Sequence, residues 1–250
     1  MTFLRATLLI AAAALGSCSL IIEDAPCASD ADCDTGEACA PEGFCVNNFG
    51  CDTVLGSQRD NALKLGFIQT FSGPFAEGGI DQRKVVQLAV EEINENGGIQ
   101  GLQNRELAFI ACDDQASEER AADAANYLHR MGVPAILGPG FSNLVQAAAQ
   151  QSAIPNGTFL LSSSSTAADI RDLDDNDLIW RVSSADTQQG NTLAYFALTL
   201  ALEMQGALNT VRIVAVHTQN IYGNGLRESF ETSLNAYNFG FARELTDADL

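Results

Sequence analysis

From Leu65 onward, short apolar runs of strand length alternate with longer amphipathic ones. The strand-like runs are Leu65 to Thr70, Glu106 to Ala111, Ala135 to Leu137, Thr158 to Leu161, Leu178 to Val182 and Thr210 to His217. Between the first two, Val86, Ala89, Val90 and Ile93 share one face of a helical repeat, with Gln82, Gln87, Glu91 and Glu95 on the other. That spacing predicts a helix with one packed face and one wet face, stopped by Gly97-Gly98. Ser117 to Met131 and Asn143 to Ser152 give the next two helices, and Asp186-Thr187-Gln188-Gln189 is a capping box opening another. Strands alternating with helices across short connections predict an α/β fold: a doubly wound, largely parallel sheet covered on both faces, with right-handed crossovers. A second lobe is expected to start at the Asp186 helix.

In such a sheet the ligand sits on the turns that follow the strands. Here these are Ser72 to Gly79, Asp113 to Ala116, Gly138 to Asn143 and Ser162 to Thr166. Gly138-Pro139-Gly140-Phe141-Ser142 brings backbone amides and a hydroxyl to a helix start, which suits a carboxylate. Ser162 to Thr166 adds hydroxyls at the end of the next strand. Ser142 is the leading candidate ligand contact, and Ser72 and Phe75 lie in the first of the four turns.

Composition narrows the class. Lys and Arg number 13 against 32 Asp and Glu, a net charge of -19, which argues against a nucleic-acid or anionic-lipid surface. Catalysis is not expected. The two histidines are His129, on the wet side of a helix, and His217, at a strand end, and no Gly-x-Ser-x-Gly elbow supplies a nucleophile. Gly138-Pro139-Gly140 falls short of Gly-x-Gly-x-x-Gly and there is no Walker motif, so no nucleotide cofactor is expected.

The N-terminus carries Arg5, an apolar run from Leu8 to Leu15 too short to span a bilayer, and Leu15-Gly16-Ser17-Cys18. This is a signal peptide ending in a bacterial lipobox, with Cys18 as the lipidated residue and the cell envelope as the destination. Cys27, Cys33, Cys39, Cys45 and Cys51 then recur every six residues in an acidic stretch with almost no aliphatic core. In an exported chain the first four are disulfide candidates; zinc would favour Cys-x2-Cys pairs, and the acids lack the EF-hand spacing for calcium, so no metal is expected. Cys51 is left to reach Cys112, or Cys112 stays a buried thiol. The division expected is signal peptide 1–17, lipid-anchored acidic linker 18–62, first lobe 63–183 and second lobe 184–250.

Several motifs in order, Ser72-Gly73-Pro74, Gly138-Pro139-Gly140-Phe141-Ser142, Ser162 to Thr166, Asp186 to Gly190 and Tyr222-Gly223-Asn224-Gly225, resemble the type I periplasmic substrate-binding proteins of the leucine/isoleucine/valine class. The resemblance implies a two-lobe periplasmic-binding-protein type I fold that closes on a small amino acid or amide and delivers it to an inner-membrane ABC permease. It implies that Ser142, Ser165 and Thr166 hold the ligand carboxylate and that Tyr222 closes over it from the second lobe. Ser165 stands where alanine is common in the family. Family members often carry a large side chain near Gly78, so here the wall falls to Phe75 or Phe141. At roughly 30 residues per βα unit, on the order of 100 more would complete the second lobe, which is therefore expected to be incomplete. A ligand-sensing receptor of the same fold, or a surface lipoprotein acting through its cysteine-rich segment, are the alternatives.

Overall fold

Five of the six apolar runs become strands of a six-stranded sheet. In the computed structural model, which describes residues 26–33, 36–41, 43–205 and 213–236, an antiparallel hairpin of β1 (Glu37–Cys39) and β2 (Cys45–Asn47) precedes that sheet. The sheet itself contains β3 (Thr53–Gly56), β4 (Leu63–Gln69), β5 (Leu107–Asp113), β6 (Ala135–Leu137), β7 (Phe159–Ser162) and β8 (Ile179–Arg181). Their spatial order is β3-β5-β4-β6-β7-β8, all parallel except β3, which pairs antiparallel with β5. The chain leaves β4 for β5 on one side and then crosses to β6 on the other. The switch point between β4 and β6 is where an open α/β sheet leaves a crevice beyond its strand ends. The segment expected as a signal peptide and Cys18 lie outside the described residues.

Helices α1 (Ala76–Glu95), α2 (Glu118–Arg130) and α3 (Ser142–Ala148) cover the sheet. The helical run of α3 continues through a wider π-spaced stretch, Ala149–Ala153, into α4 (Ile154–Asn156). Ser117 caps α2, its hydroxyl accepting from Arg120 N at 3.4 Å. The main core unites Ile68, Ile110 and Ile136 of the sheet with Leu128 of α2 and Val145 of α3, and Phe67 leads a smaller cluster with Leu55 and Ala111. Beyond the sheet, α5 (Asp186–Gln205) and α6 (Ile221–Ala236) pack on each other through Ala194, Leu198 and Leu234. The fold is that of the expected first lobe followed by the opening helices of a second.

Several local readings are corrected. The packed face of α1 is Val86, Val90 and Asn94, whereas Ala89 and Ile93 are exposed and Gln82 is half-buried. Asn94 decides this: its Nδ2 donates to Leu107 O at 2.9 Å and its Oδ1 accepts from Leu107 N at 2.7 Å, fixing the helix's rotation against β5. The capping box at Asp186 does not form, because Gln188 N and Gln189 N bond to Ala185 O instead. Residues 213–217 alternate in burial as a strand would, yet no strand pairs with them among the described residues, and residues 210–212 of that expected strand lie outside these. His129 is half-buried with Nδ1 3.2 Å from Thr158 Oγ1, not on a wet face.

The described part of the segment expected as a solvated linker, from residue 26 on, is packed structure. Cys27 pairs with Cys39, Cys33 with Cys45, and Cys51 with Cys112. Sulfurs of Cys27, Cys33 and Cys45 come within 4.8 Å of one another because the first two bridges lie side by side. Ala38, Ala40 and Cys51 join the main core, with Phe44 and Phe49 against it. Arg130 sits over the Phe44 ring at 5.4 Å, and Arg120 donates to Phe49 O. With β3 inside the sheet, the first structural unit starts well before residue 63.

Candidate functional site

The crevice at the β4–β6 switch point is a cleft of about 430 Å3, within the usual range for small-molecule sites. Its floor begins at Gln69 and Thr70, the last residues of β4 and the turn after it. Gly79 in the first turn of α1 lies so close to this turn that a Cβ would stand 1.9 Å from Thr70 O, so only glycine lets the helix start beside the strand end. Gln69 is buried; its Oε1 accepts from Thr70 N, and its Nε2 donates to Gln82 Oε1. The same amide fills the place of a side chain at Gly140, where a Cβ would meet Oε1 at 2.6 Å.

The turn after β6 supplies Phe141, Ser142 and Asn143, and the turn after β7 supplies Ser164 and Thr166. Ser142 ties the two turns together: its buried Oγ accepts from Thr166 N at 3.3 Å and from Ala167 N at 3.2 Å. Both acceptor sites of that hydroxyl are therefore used, and its proton is left to donate. Gln189 of α5, Asn220 and Tyr222 complete the lining from the far side. Asn220 holds the start of α6, its Oδ1 accepting from Gly223 N at 2.9 Å. No charged side chain is among the lining residues described.

Charge lies one shell further out. Thr70 Oγ1 donates to Asp114 Oδ1 at 2.6 Å, and Asp113 Oδ1 accepts from Phe71 N at 2.8 Å. Burial raises the pKa of Asp114 above the ordinary carboxylate value, with hydrogen bonds from Thr70 and Ala116 N opposing it. Asp113 goes the other way: burial works against its charge, but hydrogen bonds from Ser72 and from the amides of Phe71, Gln115 and Ser72 prevail and lower its pKa. Asp186, fully buried at the start of α5, is also raised by burial, against the pull of Thr166 and the Arg181 guanidinium. Arg181 Nη1 donates to Thr166 O at 3.0 Å, and Asp186 N to the same oxygen at 2.9 Å, so the crossover into α5 is bonded to the ligand turn.

The sequence profile of the family described as periplasmic binding protein matches residues 62–246. The chain belongs to that family. Among its relatives, a Leu/Ile/Val-binding protein of Rhizobium johnstonii is 27% identical over 174 residues, 70% of this chain and 44% of the relative. The Leu/Ile/Val-binding protein of Escherichia coli strain K12 is likewise 27% identical, over 70% of this chain and 45% of its own. Among solved structures, an ABC transporter substrate-binding protein from Desulfitobacterium hafniense in complex with Leu is 28% identical with a TM-score of 0.56, covering 73% of this chain and 50% of that one. A branched-chain amino acid transporter substrate-binding protein from Streptococcus pneumoniae in complex with isoleucine is 26% identical with a TM-score of 0.58, over 74% and 48%. The chain thus spans about half the length of the relatives it matches. Among the described residues no helix is long and apolar enough to cross a membrane.

Of the residues expected in a periplasmic-binding-protein cleft, Phe75, Phe141, Ser142, Thr166 and Tyr222 line this one together. Ser165 and Ser72 do not. Ser165 is buried behind the turn, its hydroxyl without a partner and its amide donating to Ser162 Oγ at 3.2 Å. Ser164 takes its place at the surface of the cleft and donates to Gly140 O at 3.0 Å. Ser72 is exposed and engaged with Asp113. His217 borders a separate apolar groove between α5 and α6. Gln69 and Gln82 were missed, although a polar residue ending an otherwise buried parallel strand was a signal for the first.

Proposed function

We propose that this chain is the ligand-holding part of an extracytoplasmic solute-binding lipoprotein, anchored through Cys18, that captures a small amino acid or amide between two lobes for an ABC permease. The observation that carries the reading is Ser142. Its hydroxyl accepts two backbone amides and keeps its own proton for a ligand carboxylate, in an uncharged cleft at the sheet's switch point. It is a binding protein and not an enzyme, and neither histidine lines the cleft.

The crossover serves as the hinge. Val182 N bonds to Ser162 O, Ser183 Oγ to Ser163 O, and Asp186 N to Thr166 O, so a ligand seated on this turn bears directly on the segment that joins the lobes. A thermal-shift panel of amino acids and their amides tests the reading, since a ligand at about 100 times its Kd stabilises by roughly 2.7 kcal/mol. A raised midpoint with one member, abolished by Ser142→Ala, is expected; no shift with any member contradicts it. Metabolic labelling with palmitate, lost in Cys18→Ser, tests the anchor.

A further inference from the structure

Resting on the solute-binding reading above, we propose that the ligand of this cleft is a carboxylate bearing an aromatic ring and not a branched aliphatic chain. Phe75 and Phe141 are 60% and 42% exposed, high for large apolar side chains, and both line the cleft. Their rings meet edge to face, centroids 5.6 Å apart and planes at 72°. Each ring comes from a different turn: Phe75 just before α1, Phe141 just before α3. A third ring, Tyr222 at 37% exposure, faces the same cleft from the start of α6. An edge-to-face pair still offers ring surface to a further aromatic group, and the quadrupole geometry rewards a planar ring over an alkyl chain of equal area.

There is also room beside the pair. A Cβ built on Gly78 would meet no atom within 4 Å, so the wall next to Phe75 is open. Ser142 and Thr166 stand on the turns after β6 and β7, and the Phe75–Phe141 pair presents the apolar surface of a lining that also holds Gln69, Thr70 and Gln82 near α1. A carboxylate on Ser142 with its ring directed toward Phe75 and Phe141 satisfies both halves of the cleft. No charged side chain among the described lining residues selects for or against an ammonium group, so an aromatic amino acid and an aryl acid share this chemistry.

Calorimetric titration of the full chain with L-phenylalanine, 3-phenylpropionate and L-leucine tests the inference. The better of the two aromatic ligands is expected to bind at least about tenfold more tightly than leucine, a difference of ~1.4 kcal/mol. Phenylalanine ahead of phenylpropionate identifies an aromatic amino acid, the reverse an aryl acid, and either order supports the ring. Leucine bound equally or more tightly overturns the aromatic inference and leaves the solute-binding reading standing; no binding by any of the three overturns both. Phe141→Leu, which keeps apolar bulk but removes the ring, and Gly78→Leu, which fills the open wall, are each expected to shrink the aromatic-to-leucine ratio by about threefold or more. An unchanged ratio in both variants overturns the placement of the ring.

Discussion

The buried hydroxyl of Thr70 donates to Asp114 Oδ1 at 2.6 Å, joining the end of β4 to the end of β5 where Thr70 lines the cleft. Its neighbour Asp113 accepts from Phe71 N one residue further along the same turn. Two adjacent carboxylates therefore anchor the loop that carries Phe75, and their environments push them in opposite directions.

Opposite pH dependences of stability follow for these neighbours. Asp114 has a folded pKa raised above 3.8 by burial, so its contribution is present below the unfolded value and lost as pH rises through the folded one. Asp113 has a folded pKa below 3.8, so its contribution is present above that value and lost as pH falls through the folded one. Relative to wild type, Asp114→Asn is expected to gain stability as pH climbs above about 4, whereas Asp113→Asn is expected to fall behind as pH rises toward about 4 and to keep a constant deficit above it. Denaturant midpoints at a series of pH values check the pair; parallel trends in the two variants would contradict the assignment.

Asn94 makes two hydrogen bonds to the backbone of Leu107 from the C-terminal end of the packed face of α1. Asn94→Leu would improve the apolar pattern of the helix yet leave a strand amide and carbonyl without this partner. A loss of about 2 kcal/mol is expected from urea unfolding. A stabilised variant would show that hydrophobic patterning, not the amide clip, sets the rotation of the helix.

This residue also marks how far the sequence could be read. β6 was legible to the residue, and the α/β alternation as a whole, because buried parallel strands are apolar throughout and need no partner to be seen. The face of α1 was not, because Asn94 acts through a strand reached only after folding. β3 escaped for the same reason: four residues, Thr53–Gly56, ending in glycine become a strand only by pairing with β5. In the site, the loops and Ser142 were legible from their position after strands. Which of Ser162 to Ser165 faces the cleft was not, since four identical side chains carry no periodic signal. The pairing of Cys27 with Cys39 and Cys33 with Cys45 was equally hidden, as four cysteines allow three connectivities.

The Cys51–Cys112 bridge joins the N-terminal module to β5, the strand that ends at Asp113, across 61 residues of sequence. Asp113 N also donates to Gly50 O at 3.3 Å beside it. Replacing both cysteines by alanine is expected to cost about 2–5 kcal/mol and to speed amide exchange in β3 ahead of β4. Calorimetric unfolding and hydrogen exchange check this, and an unchanged midpoint would show the module to be held by packing alone.

Ser142 holds the amides of Thr166 and Ala167 while offering its proton to the cleft, and removing its hydroxyl should do two separable things. Ser142→Ala is expected to lower stability by about 1–3 kcal/mol, because two amides lose their acceptor, and to weaken ligand binding at least about tenfold. Unfolding midpoints and titrations on the same samples distinguish the effects; full binding in a destabilised variant would assign Ser142 a structural role only.

The central claim is that a small carboxylate ligand seats on Ser142 at the ends of β6 and β7. A 15N-edited NMR titration of the full chain with phenylalanine and leucine tests it most directly. Saturable shifts concentrated at the amides of Phe141, Ser142, Thr166 and Ala167, and absent in Ser142→Ala, are predicted. Shifts confined to other surfaces, or no saturable shifts with either amino acid, would contradict it.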